Sequence, residues 1–349
     1  MSPILTLIAT LATLGNSPEI GIQDGWAFDD DLKPIFTREA AREMKKVGAK
    51  WVRLHFRLNA KHASWDEPIL KAYDQAVANA KRVGLDVLGL FTYESWPGGQ
   101  AKWTENSHEA HGGNGDNEYV RDWAAKGFRL MLKRYPGVRV WEVWNEPDCW
   151  TDNPPGDKHK LPGMFYIYPS NYAWLLKRAY DEAKSVKNPP KIVLGGLLGM
   201  EKPTPEQSVA ADYLKALFEA GKRFAGWGQS GPFDSWGFHI YAGDENTLQP
   251  GHFETFPANF LRFADRLDPV RKPLWITEVG WPTTHDPASE ETQARCLEVA
   301  YRALSKFDRV GPVFWFKWRD EPQAGLLYGL VRTDGSNKPA WVALKAWSR

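Results

Sequence analysis

The feature that most constrains the fold is an alternation repeated eight times along the chain: a short apolar strand, a loop, then a longer amphipathic helix. The strands read as Ile20-Gly21-Ile22, Trp51 to Phe56, Val87 to Tyr93, Val138 to Val143, Lys191 to Gly196, a run within Phe233 to Tyr241, Pro273 to Glu278, and Gly311 to Trp318. They are short and dominated by apolar residues, as buried strands are. Helices are predicted over Thr37 to Val47, Pro68 to Val83, Glu118 to Arg134, Ser170 to Val186, Ser208 to Ala220, Phe256 to Leu267, Ser289 to Phe307 and Pro339 to Trp347. Thr37, Ser170 and Ser289 stand where N-caps stand, and Gly48 and Gly84 where helices stop.

Eight strand–helix units favour an α/β (β/α)8 barrel, a TIM barrel with enlarged βα loops. It is read as one domain over residues 1–349, with residues 1–17 as an N-terminal extension. An open doubly wound sheet is the structural rival. Such a sheet usually carries a glycine-rich turn after its first strand, and Ile20-Gly21-Ile22-Gln23-Asp24-Gly25 lacks the dinucleotide pattern. The long loops follow the third, fourth, sixth and eighth strands, so they share the barrel face where active sites are built.

A net charge of +1 gives no basic patch for nucleic acid. No apolar run reaches the roughly 18 residues that span a bilayer. Ile4 to Leu14 is apolar, but no Lys or Arg precedes it, which argues against a standard secretory leader. The compartment, secreted or cytoplasmic, stays open at this point. Cys149 and Cys296 make neither a disulfide framework nor a zinc spacing, and two unpaired thiols are expected. The chain is expected to act as a monomer. The 18 tryptophans exceed ordinary core needs. Most will be core, but an indole in a loop also offers a flat face for the C–H face of a sugar.

Val138-Arg139-Val140-Trp141-Glu142-Val143-Trp144-Asn145-Glu146-Pro147 begins as a buried strand and must end at Pro147, which has no N–H to donate. That places Asn145 and Glu146 at the strand's lip. Trp275-Ile276-Thr277-Glu278, three strands later, ends the same way and is followed by Gly280 and Pro282. In a barrel, strands four and seven face each other across the mouth. Two opposed carboxylates, one protonated and one ionised, are what glycoside hydrolysis needs.

Trp144-Asn145-Glu146-Pro147 on strand four, with Thr277-Glu278 on strand seven, resembles clan A of the glycoside hydrolases, nearest to families 39, 5 or 17. The resemblance spans nearly the whole chain. It implies a retaining (β/α)8 glycosidase, with Glu146 as acid/base, Asn145 on the sugar 2-hydroxyl and Glu278 as nucleophile. It further implies Arg53 near the nucleophile, His239 and Tyr241 at the end of strand six, and Trp318 flooring the sugar beside the cleaved bond. His55 is expected to line the same mouth, and Glu94 and Trp96 to bind sugar from the loop after strand three. Trp103, Trp150 and Trp281 are further stacking candidates. No metal or organic cofactor is expected; His108-Glu109-Ala110-His111 has neither the spacing nor the helical setting of a zinc motif.

The reading is a retaining O-glycosidase acting on a β-linked glycan, glucan-like and endo-acting, with an oligo- or polysaccharide as its partner. A transglycosylase using the same two glutamates and a non-catalytic sugar-binding barrel are the alternatives. An aldolase or lyase would want a lysine at a strand end. Lys317 is the one candidate, expected to face away from Trp318.

Overall fold

The structure is a computed structural model that describes residues 17–98, 100–103, 105–149, 165–198, 209–241, 250–284 and 286–348. Eight strands run parallel: β1 (Ile20–Trp26), β2 (Trp51–Phe56), β3 (Asp86–Phe91), β4 (Val140–Val143), β5 (Lys191–Leu194), β6 (Trp236–Tyr241), β7 (Leu274–Gly280) and β8 (Val310–Phe316). Their order in the sheet is β5-β4-β3-β2-β1-β8-β7-β6. Isolated bridges from Val193 to Ser235 and from Leu197 to Phe238 draw β5 and β6 together, so the sheet nearly closes into the expected (β/α)8 barrel.

The side-chain period of two sorts each strand between barrel interior and helical shell. In β4, Val140 packs with Val193, Trp275 and Phe314 inside the barrel. Trp141 points the other way, against Phe56 and Phe128. Gly89 on β3 makes room for it: a Cβ there would sit 2.5 Å from the Trp141 ring. By the same alternation Glu142 points inward, a fully buried carboxylate.

The helices follow the predicted pattern with instructive departures. Thr37 caps Arg38–Lys46 by accepting the Ala40 N–H. Asp66 does the same for Glu67–Arg82. The helix predicted over Glu118 to Arg134 passes through a wide π turn at Trp123–Phe128. Pro250–Leu267 starts six residues earlier than expected and carries Pro257 inside it. Pro287–Leu304 starts before Ser289, which is therefore not its N-cap; the Ser289 hydroxyl donates to Asp286 O at 2.6 Å and accepts the Thr284 N–H at 2.9 Å. β8 ends at Phe316, short of Trp318, because the Trp318 carbonyl turns to accept from Leu330 and Val331. Cys149 and Cys296 are both buried. Residues 1–16, Gly199 and Ser208 lie outside the described residues. Among the described residues, no helix is long and apolar enough to cross a membrane.

Candidate active site

The site starts where β4 stops. Trp144 and Glu146 both take positive φ angles, 76° and 46°, on either side of Asn145. Such backbone costs about 1–3 kcal/mol per residue and persists only where the surroundings hold it. The Trp144 indole is buried and donates to Phe165 O at 2.7 Å. The Glu146 N–H donates to Gly196 O at 2.9 Å, tying the exit of β4 to that of β5. Tyr172 reinforces the tie: its hydroxyl donates to Val143 O at 2.7 Å and accepts the Gly195 N–H at 3.0 Å.

Arg53, on β2 and almost wholly buried, is the hub. Its Nε donates to Glu142 at 2.6 Å, its Nη1 to Glu278 at 2.5 Å and also to Gln23, and its Nη2 to Asn145 Oδ1 at 2.8 Å. With Oδ1 taken by Arg53, the Asn145 amide N–H2 is the end left for a ligand. The Tyr241 hydroxyl donates to Glu278 Oε2. His239 Nδ1 lies 2.8 Å from Glu146 Oε1 and 3.6 Å from Glu278 Oε2, so the imidazole stands between the two acids.

The two carboxylates sit in different fields. Burial alone would raise Glu278, but the His239 and Arg53 charges and the hydrogen bonds from Tyr241 and Arg53 outweigh it and hold Glu278 below the usual carboxylate range. Burial works against charge on His239 as well. There the negative Glu278 and the bond to Glu146 prevail, and the imidazole is raised. One carboxylate oxygen of Glu146, one of Glu278 and a His239 nitrogen all lie within 4.8 Å of one another. Three donors that close could hold a cation. The same closeness suits an acid and a nucleophile acting on one bond.

Above these groups opens a cleft of about 540 Å³. Glu146, Glu278, Asn145 and Tyr241 face it, whereas Arg53 and His239 lie beneath its floor. His55 and Glu94 line it too, with His55 Nε2 3.6 Å from Glu94 Oε2. Burial, with Arg57 and Arg53 nearby, keeps His55 well below its usual range; burial raises Glu94.

The tryptophans are placed otherwise than expected. Trp318 is buried beside an adjoining cavity of about 1020 Å³ that shares Trp26 and Lys317 with the cleft, and Phe316 and Tyr328 wall the cleft itself. Trp96 packs over Gly127, and Trp281 packs against the core; neither lines the cleft. Trp103 is buried, donating to Tyr166 O at 3.0 Å. Trp150 lies outside the described residues. Among the described residues, Trp26, at the end of β1, is the indole that does line the cleft; it is 44% exposed, with Arg57 over its ring at 3.7 Å. Lys317 lines both the cleft and the cavity beside Trp318, ion-paired with Glu321. The sequence reading passed over Gln23, Glu142, Tyr93, Phe316 and Tyr328. For Glu142 a signal was present: a carboxylate at an inward position of a buried strand.

Residues 195–339 match the profile of the glycosyl hydrolase catalytic core. They include Glu278, His239 and Tyr241, while Arg53, Asn145 and Glu146 lie upstream of them. Among solved structures, a family 39 glycoside hydrolase from Bacteroides cellulosilyticus superposes with a TM-score of 0.64 at 20% identity over 95% of this chain. The chain spans 64% of that protein's length. A family 5 broad-specificity endoglucanase from Clostridium longisporum gives 0.64 at 12% identity, covering 95% of each chain. A β-glucosidase from Thermotoga maritima gives 0.61 at 14% identity, covering 95% of this chain and 98% of that one. At these identities the likeness is one of fold. No curated protein sequence matches the chain. The match over residues 195–339 supports the resemblance to the glycoside hydrolases, and the solved structures share the expected barrel.

Proposed function

We propose that the chain is a retaining glycosidase that cleaves a β-linked glycan by double displacement, with Glu278 as nucleophile and Glu146 as acid/base. The observation that carries this reading is the pair of carboxylates. Their nearest oxygens lie within 4.8 Å, and Glu278 alone of the two is bound by a guanidinium. Retaining enzymes set the two carboxyl groups about 5–5.5 Å apart, whereas inverting ones leave roughly 6.5–9.5 Å for a water.

In the first step the Glu278 carboxylate attacks the anomeric carbon, the glycosidic C–O bond breaks, and the Glu146 proton passes to the leaving oxygen. In the second step Glu146 takes a proton from water as the water oxygen attacks the same carbon, and Glu278 leaves as carboxylate. Arg53 and Tyr241 hold Glu278 in line, and the Asn145 amide is aimed at the sugar 2-hydroxyl. The open cleft, walled by Trp26, Tyr93, Phe316 and Tyr328, favours a polymer bound along its length and endo action.

The test is a panel of aryl β-glycosides and β-glucans, mannans and xylans, with the anomeric configuration of the first product followed by NMR. Retention is expected. Glu278→Ala should lose at least about 10⁴-fold in kcat. Glu146→Ala should keep substantial turnover only on dinitrophenyl glycosides, whose leaving group needs no acid, and azide should restore it. Inverted product, or an active Glu278→Ala enzyme, would sink the proposal. Added sugar acceptors in the same assay measure transglycosylation.

A further inference from the structure

We infer that Glu142 is a positioning residue: by taking one edge of the Arg53 guanidinium, it divides that charge between two carboxylates and so preserves the nucleophilicity of Glu278. The inference rests on the reading of Glu278 as nucleophile.

Glu142 is fully buried, and its two oxygens are both engaged. Oε2 accepts from Arg53 Nε at 2.6 Å, and Oε1 accepts the Gly196 N–H at 2.9 Å. It touches neither the cleft nor the reacting atoms. Its whole effect on the reaction must pass through Arg53 and Gly196, the two groups that position Glu278, Asn145 and Glu146.

A lone guanidinium on Glu278 would cut two ways. It would keep the carboxylate ionised, but it would also stabilise the free carboxylate more than the glycosyl ester, where that charge is gone. An attack that consumes the anion is slowed by whatever binds the anion too well. Glu142 offsets this in two respects. Its negative charge shares the cation, and a planar group held at Nε presents Nη1 to Glu278 and Nη2 to Asn145 in one fixed plane. Glu278 is also faced by His239 and Tyr241 from β6, by Glu146 from the exit of β4 and by Tyr328 from the segment after β8. None of these is bonded to Glu142, whose own contacts run to Arg53 and to the Gly196 N–H.

The test is Glu142→Gln, which keeps the acceptor oxygen and the shape and removes the charge. On a dinitrophenyl glycoside, kcat/KM reports attack by Glu278. It should fall on the order of tenfold, with kcat and not KM carrying the loss. The acidic limb of the kcat/KM profile should move to lower pH, because a negative neighbour of Glu278 is gone. Loosened packing would lower the rate without that move. In an Arg53→Gln background the same change should alter kcat/KM less than about twofold, since the shared cation is no longer there to divide.

A limb that stays put or moves to higher pH, or a Glu142→Gln rate within about twofold of wild type, overturns the inference. So does an equal loss in the Arg53→Gln background. Should Glu142→Gln fail to fold, Glu142→Asp carries the test. It keeps the charge, so the limb should hold its wild-type position while kcat falls; a shifted limb or a change confined to KM counts against the role. If Glu278→Ala is inactive and Glu142→Gln behaves as wild type, only this inference fails. If Glu278→Ala is active, the reading beneath it has failed first.

Discussion

At the scale of single residues, the site depends on one place where no side chain fits. A Cβ on Gly196 would lie 2.1 Å from His239 Nε2 and 2.5 Å from Thr277 Oγ1. Both are buried side chains, so neither can swing clear. Gly196→Ala must therefore displace His239, which stands 2.8 Å from Glu146, or shift the strand whose carbonyl holds the Glu146 N–H. Overpacking of this kind costs about 1–3 kcal/mol. We expect a chemical-denaturation midpoint lowered to match, and a kcat reduced roughly tenfold or more with KM little changed. An alanine variant with wild-type kcat would show that His239 tolerates movement. In the sequence Gly196 is one glycine among 30, and its importance comes from β6 and β7 crossing it in space. Glu146 and Glu278 were legible for the opposite reason: each follows its own apolar run, although β7 continues two residues past Glu278 to Gly280.

At the scale of elements, alternation and caps made most strands and helices readable, and contacts distant in sequence decided the rest. Trp51–Phe56 and Pro339–Trp347 came out with the predicted ends, because Gly, Lys or Pro punctuates them locally. β8 was read too long because Trp318, one residue past Lys317, prolongs its aromatic run, while the loop that captures the Trp318 carbonyl begins a dozen residues later. That misreading is also what put Trp318 in the cleft. The β4–β5 exit was invisible in the same way. Its strut is Tyr172, on the helix Pro169–Ser185, which satisfies a carbonyl of β4 and an N–H beyond β5 with one hydroxyl. Tyr172→Phe leaves both backbone groups buried without that partner, at about 1–3 kcal/mol for such a group. The variant should melt several degrees lower and lose kcat, since the loosened exit carries Asn145 and Glu146. Unchanged kcat at a lowered melting temperature would mean that Gly196 alone holds the exit.

At the scale of the whole molecule, the barrel keeps acids in places that oppose one another as pH changes. Glu278 is held below its ordinary range, so its contribution to stability is present above the unfolded pKa and is lost as pH falls through the folded one. Asp24 behaves in reverse. It lies on β1, 4% exposed, with an Oδ2 that has no hydrogen-bond partner, and burial pushes it up to about 8 against the pull of Lys317 and Arg319. Asp148, two residues beyond Glu146, is pushed by burial to about 7. An acid whose folded pKa is raised binds more protons folded than unfolded, so unfolding releases a proton and stability falls as pH rises. For Asp24 that window runs from the unfolded value near ~4 up to about 8, with a slope of at most about 1.4 kcal/mol per pH unit. Asp24→Asn keeps the shape and removes the titration. In urea at pH 5 the variant and the wild type should differ little. At pH 8 the variant should be the more stable, by on the order of 1–2 kcal/mol once water penetration softens the burial cost. A difference that stays the same from pH 5 to pH 8 would mean that Asp24 is already ionised when the barrel is folded. Its unpartnered oxygen would then have to be balanced by Lys317, which pulls on it more strongly than Arg319, and the ion pair of Lys317 with Glu321 would be a shared one.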